Sequence, residues 1–350
     1  NQDLKWEKTQ QMDLGIDLGL FDNRLSLTAD YYYKKTSDLL LAMPVSFNTG
    51  YDQVVKNVGD LKNTGFDFSI GVVPFTGKFN WNVDITFGYN RNEVTNLAGS
   101  TENLTGSSVL GITYWTKITE GKAMGTLYGY KTNGIAQKDE DLSKIPFFQG
   151  KTITYGDRKY VDKDDNGVIN ENDLFELGNA NPDFTFGFNN TFRLRFQDQS
   201  VLGLTIYLQG SVGNEIANFN KFTLESFDGY HNKTKAALKR WTDDNPSNTY
   251  PKATTKSQGN VFSDHYVEDG SYLRFKDITL NYSLPNKWTR KFLCENLTIS
   301  VSLKNLWTIT NYSGYDPEVS RFANNNLSMG ADYGSYPMAK SYELGIRMNF

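Results

Sequence analysis

Cysteine is nearly absent from this 350-residue chain: Cys294 is the only one, so no disulfide can form within it. A chain of this length needs no such staple, so the shortage says little about compartment. Histidine is almost as scarce, with His231 and His265 alone. Both fall in the longest stretch without strand periodicity, away from any nucleophile elbow. Cys294 sits in a turn without a histidine nearby. No catalytic residue is therefore expected, and the chain does not read as an enzyme. Positive charge is not in surplus either. A net charge of −4 and a pI near 5.4 argue against a nucleic-acid partner. No run approaches the roughly 18 apolar residues of a membrane helix, and the mean hydropathy is −0.54. A membrane crossed by strands stays open, because such strands turn only alternate residues to lipid. Asn1-Gln2-Asp3-Leu4 lacks the charged and apolar regions of a leader. Either a leader was removed or the chain begins inside a longer protein.

What the chain has in quantity is aromatics, 14 % of residues with 21 Tyr and 23 Phe, and strict two-residue alternation. The clearest case is the end. Tyr342, Leu344, Ile346, Met348 and Phe350 share one strand face, and Glu343, Gly345, Arg347 and Asn349 share the other. Met12 to Leu20 alternates in the same way, turns at Asp22-Asn23, and returns through Leu25 to Tyr33. Further alternating segments follow at Phe66–Val72, Trp81–Tyr89, Phe184–Leu194, Leu202–Leu208, Ile278–Leu284 and Leu297–Leu303. Weaker candidates lie at Ile112–Thr119 and Thr126–Ala136. Several strands exceed the usual five or six residues. Short turns alternate with long connections, about 34–60, 93–111, 137–183, 214–270 and 310–339, where ordinary loops rarely pass about 15 residues.

Long strands, turns at one end and long loops at the other predict an all-β transmembrane antiparallel barrel, with periplasmic turns and extracellular loops. Tyr31, Tyr33 and Tyr89 suit its interfacial belt. Strand directions must alternate. With the C-terminus on the short-turn side, the count comes to about eleven strands, an odd number that a closed single-chain barrel would not have. Phe350 and the alternating apolar residues before it resemble the closing strand that the outer-membrane assembly machinery reads.

Six segments resemble the C-terminal half of SusC/RagA-type TonB-dependent outer-membrane transporters of Bacteroidetes. They are NQDLKWEKT (1–9), DYYYKKTSDLLL (30–41), NVGDLKNTGFDF (57–68), YGYKTNGI (128–135), VEDGSYLRFKDITLNYSLP (267–285) and NYSGYDPEV (311–319), in family order. The resemblance implies a plugged 22-stranded barrel, here represented by half its strands, that imports glycans or peptides. It also implies energy from the TonB complex and a SusD-like surface lipoprotein as the lid. Neither the plug nor the TonB-contacting segment is recognisable here. The expectation is a barrel half closed by an N-terminal half that carries the plug. Two other readings stand beside it: a Ca²⁺-stabilised surface adhesin, and a siderophore or haem receptor, which shares the barrel but not these motifs.

One motif carries chemistry. Asp162-x-Asp164-x-Asn166-Gly167, followed by Val168, Asn170 and Asp173, matches D-x-D-x-N-G-x₅-[DE]. The spacing sets side-chain oxygens of Asp162, Asp164, Asn166 and Asp173, the Val168 carbonyl and Asn170 around one point, a hard oxygen set suited to a structural Ca²⁺. The bland alternative is a solvated acidic loop. Trp115, Tyr230, Trp241, Tyr250, Tyr312 and Tyr315 sit in or beside loops and could stack on substrate rings. For any one of them, packing within the loops is the commoner use.

Overall fold

The computed structural model describes residues 4–45, 47–51, 53–97, 104–148, 150–255, 261–322 and 325–350. Nine strands form one antiparallel sheet in chain order: β1 (Lys8–Leu20), β2 (Leu25–Ser37), β3 (Asp60–Phe75), β4 (Phe79–Asn96), β5 (Phe184–Arg195), β6 (Val201–Val212), β7 (Tyr272–Ser283), β8 (Asn296–Thr310) and β9 (Ser341–Asn349). Among the described residues β1 pairs only with β2, and β9 only with β8, so the sheet is open and both edges are bare.

The alternation read from the sequence becomes rows across the sheet. Leu18 of β1 faces Leu27, and the row continues through Ile70, Ile85, Phe188, Leu208, Phe275 and Trp307. One residue along, on the opposite face, Asp17 is followed by Thr28, Ser69, Thr86, Gly187 and Gln209. The apolar face is uncovered: Leu14 is 67 % exposed and Leu344 74 %. A surface so apolar and continuous is meant to be covered, here by lipid. On the polar face Thr28 Oγ1 donates to Asp17 Oδ1 (2.7 Å), and Tyr32 OH donates to Asn90 Oδ1 (3.0 Å). Gly65 makes room for that tyrosine, since a Cβ there would lie 2.3 Å from the Tyr32 hydroxyl. Asp30, Asp67, Thr185, Tyr207 and Gln209 line a concavity of about 560 Å³ on this wall.

Short turns join the strands at one end. In the first, Phe21, Asp22 and Asn23 all take positive φ, near 56 to 60°, a conformation that Asp and Asn tolerate well. At the other end the excursions are long, 38–59, 97–183, 213–271 and 311–340.

Among the described residues the wall has nine strands, not eleven. β4 pairs directly with β5, Phe87 opposite Phe186. Thr126–Ala136 is divided between two short strands of the excursion: Thr126–Tyr130 pairs with Leu174–Asn179, and Thr132–Ile135 with Arg158–Tyr160. Ile112–Thr119 makes only isolated bridges. The reason is burial on both faces. Every residue of Thr126–Tyr130 is buried, so its pattern did not report a lipid face and a water face. Removing one inward and one outward strand keeps the alternation of directions intact. The expected loops 93–111 and 137–183 thus become one excursion.

Candidate metal loop and capped mouth

The excursions fold together into a cap. Glu215–Asn218 pairs with Val267–Asp269 on one side and with Ala331–Asp332 on the other, tying two excursions in one small sheet. A core of Trp115, Leu127, Phe219, Phe262 and Tyr266 draws in the excursion 97–183. Phe219 stacks on Phe262 at 4.8 Å and meets Trp115 edge-on at 5.5 Å. The helix α1 (Phe219–Glu225), which has no clear signal in the sequence, delivers Phe219; Asn218 caps it by accepting from Lys221 N. Further along the same excursion, Lys235–Lys239 forms a 3₁₀ turn capped by Thr234, whose side chain accepts from Ala236 N.

This packing divides the candidate stacking residues. Trp115 is fully buried, and its indole N–H donates to Ser107 O (2.9 Å). Trp241 is buried and donates to Gln137 Oε1 (3.1 Å). Tyr312 is buried, its hydroxyl 2.6 Å from Asp332 Oδ2. In these three the rings are taken up by the cap, the commoner use for a loop aromatic. Tyr230 and Tyr315 are 89 % and 85 % exposed. Tyr336, 92 % exposed, joins them; it lies outside any motif, and the sequence reading missed it.

The excursion 311–340 is pinned to the inner wall. Arg274 of β7 stands on the polar face, between Gln209 and Thr308. Its guanidinium meets Asp316 at 2.5 Å and Glu318 at 2.9 Å. Asp316 also accepts from Glu318 N and Met338 N, so one carboxylate gathers both ends of the excursion. Arg274 and Asp316 are both buried. The pair links two of the sequence segments singled out above, 267–285 and 311–319.

The acidic loop leaves the Arg158–Tyr160 strand and returns to Leu174–Asn179. Ile169 anchors it in a cluster with Tyr130, Tyr160 and Leu174. Asp165 (φ 56°) and Gly167 (φ 82°) make the reversals. One carboxylate oxygen from each of Asp162, Asp164 and Asp173 lies within 4.8 Å of the others. Asp162 Oδ2 accepts from Gly167 N (2.6 Å), and Asp173 accepts from both Lys163 N (2.7 Å) and Asn170 N (2.8 Å). Asn166 and Asn170 turn their side-chain oxygens to Val168 N and Asn172 N. Thus the three carboxylate positions converge, and the two asparagines brace the turn. Partial desolvation, then the hydrogen bond with Asp162, holds the Asp164 carboxyl above its usual range. For Asp162, desolvation pushes up, but the Gly167 N–H and further hydrogen bonds outweigh it and the net shift is down. A cluster of carboxylates in this state could hold a metal ion.

His265 is mostly buried, with Nε2 3.8 Å from Glu225 Oε2. Burial pulls its pKa below 6.5, with Glu225 opposing.

An open sheet that is apolar outside and polar inside, with turns at one end and a folded cap at the other, is a section of an outer-membrane β-barrel. The comparisons define it further. The family described as "TonB dependent receptor-like, beta-barrel" matches residues 1–306, and the chain belongs to it. TonB-dependent receptor P3 of Formosa agariphila is 36 % identical across the whole chain, and the match covers 35 % of that protein. TonB-dependent receptor SusC of Bacteroides thetaiotaomicron is 28 % identical, again across the whole chain, with 32 % of that protein covered. A structure of the RagAB peptide transporter superposes with a TM-score of 0.79 at 27 % identity, covering 100 % of this chain and 36 % of that one. The chain is thus SusC/RagA-like and spans about a third of the length of these relatives. Proteins of this family are transporters of the bacterial outer membrane, not enzymes.

Proposed function

We propose that this chain is the wall and mouth of a TonB-dependent importer of glycans or peptides that works with a SusD-like surface lipoprotein. The observation that carries this is the superposition on the RagAB peptide transporter along the entire chain, cap included. The nine strands are the C-terminal part of a barrel of about 22 strands. The remaining wall, the plug and the TonB-contacting segment belong to the rest of the transporter. β1 and β9 then each gain a neighbour, as edges in hydrocarbon require. The polar inner wall faces the plug and the passing cargo. Tyr230 and Tyr315, with rings free at the mouth, are the aromatic contacts for cargo or lid.

The Asp162–Asp173 loop takes Ca²⁺ in this reading. Hard carboxylate oxygens crowd together, and a divalent cation suits and neutralises such a set. The ion would be held by Asp162, Asp164 and Asp173 and would fix the shape of the cap.

The test is affinity purification of the whole transporter from its native membrane, followed by mass spectrometry of proteins and small molecules. A SusD-like lipoprotein and bound oligosaccharides or peptides are expected. Recovery with a siderophore or haem, and without a lipoprotein, would overturn the reading.

A further inference from the structure

The turn between β7 and β8 differs from the other short turns. It runs from Pro285 to Glu295 and contains a helical turn, Asn286–Thr289, followed by a 3₁₀ segment, Arg290–Phe292. It is firmly built: Thr289 is fully buried, and Cys294 is 3 % exposed. Cys294 N donates to Thr289 O (3.3 Å), and Asn286 Nδ2 donates to Gln199 Oε1 (2.7 Å) on the neighbouring turn.

What it presents outward is unusual. Trp288 is 52 % exposed and Leu293 87 %. Leu293 also has a φ of 56°, a left-handed conformation that a branched side chain rarely takes. Lys287, Arg290 and Lys291 are exposed beside them, and Glu295 is the only acid from Pro285 to Glu295. The turns at 21–24, 76–78 and 196–200 hold no more than one cation each.

The turn is continuous with the lipid-facing surface. Leu297 lies on the same face as Ile299 and Val301, which are 39 % and 42 % exposed, yet Leu297 is only 8 % exposed. The helical turn packs against β8, whose first apolar residue on this face is Leu297, so the turn sits at the end of the apolar wall. A Trp and a Leu beside three cations, placed where the apolar band meets water, match the chemistry of an interfacial anchor.

We propose that Pro285–Glu295 is a phospholipid-binding foot on the periplasmic leaflet. Trp288 and Leu293 enter the acyl boundary, while Lys287, Arg290 and Lys291 hold anionic headgroup phosphates. This goes beyond the import reading and would hold whatever the cargo.

The experiment uses the complete transporter in vesicles of phosphatidylethanolamine and phosphatidylglycerol. A spin label at Leu293→Cys, in a Cys294→Ser background, is compared with one at Gln197→Cys in the adjacent turn. The Leu293 label should collide more with oxygen than with a water-soluble nickel chelate, and the Gln197 label the reverse. In parallel, native mass spectrometry counts phosphatidylglycerol retained by K287Q/R290Q/K291Q. Each charge removed should weaken retention about fivefold, on the order of a hundredfold for three. Leu293 and Gln197 labels equally open to nickel, a Leu293 label shielded from both probes, or undiminished lipid on a normally folded triple variant would each overturn the proposal.

Discussion

At the scale of single residues, a buried ion pair and a mostly buried histidine bear on the cap. Arg274 and Asp316 are each almost inaccessible and satisfy one another. Breaking such a pair from one side leaves a buried charge alone, which costs about 3–5 kcal/mol. Arg274→Met should therefore release 311–340 from the wall, seen as faster hydrogen exchange there with β1–β6 unchanged. R274M/D316N should recover much of the loss. The second group is His265. Burial depresses its pKa from 6.5, with Glu225 opposing and Arg158 and Lys221 adding to the depression. In the unfolded chain the imidazole binds a proton near pH 6.5, whereas in the cap it does so only at lower pH. Stability is thus fully present above pH 6.5 and declines as pH falls below it. The protection factors of amides in 214–270, corrected for the intrinsic pH dependence of exchange, should fall between pH 7 and pH 5, and His265→Gln should flatten that dependence. An unchanged slope in the variant would assign it to other groups.

At the scale of elements, what was legible depended on whether an element separates two media. β1 and β9 alternate lipid with water at every residue, so their patterns can be read without neighbours. Thr126–Tyr130 has protein on both sides, and nothing in its composition tells cap from wall. Trp115 looked like a loop aromatic because its partners Phe219 and Phe262 lie over a hundred residues away in sequence. The acidic loop was legible for a different reason: its geometry is set within twelve residues. Three of its oxygens do converge, while Asn166 and Asn170 face the backbone. With Ca²⁺ bound there, chelation should lower the melting temperature of the cap by several degrees and leave the sheet intact. Asp162→Ala should abolish the difference between calcium and chelator. A cap that melts identically in both, in the unmodified protein, would leave the loop as an acidic turn.

At the scale of the whole molecule, an open wall needs both of its edges met. Leu344, Ile346 and Met348 of β9 are exposed outward, and Phe350 just beyond it is 82 % exposed. Phe350→Glu should reduce the amount of transporter assembled in the outer membrane severalfold, read by surface-accessible protein per cell. Normal levels would remove the assembly role from that residue. The direct ladder between β4 and β5 has a further consequence, for how such a protein changes over time. Those two neighbours are separated by an excursion of roughly 90 residues, where β5 and β6 are separated by about five. Loop-closure entropy grows only with the logarithm of length, so the difference amounts to about 2.5 kcal/mol. Once the wall register is secured, lengthening or exchanging the mouth is inexpensive. Descendants of one barrel can therefore diverge in what they admit while sharing nearly the same staves.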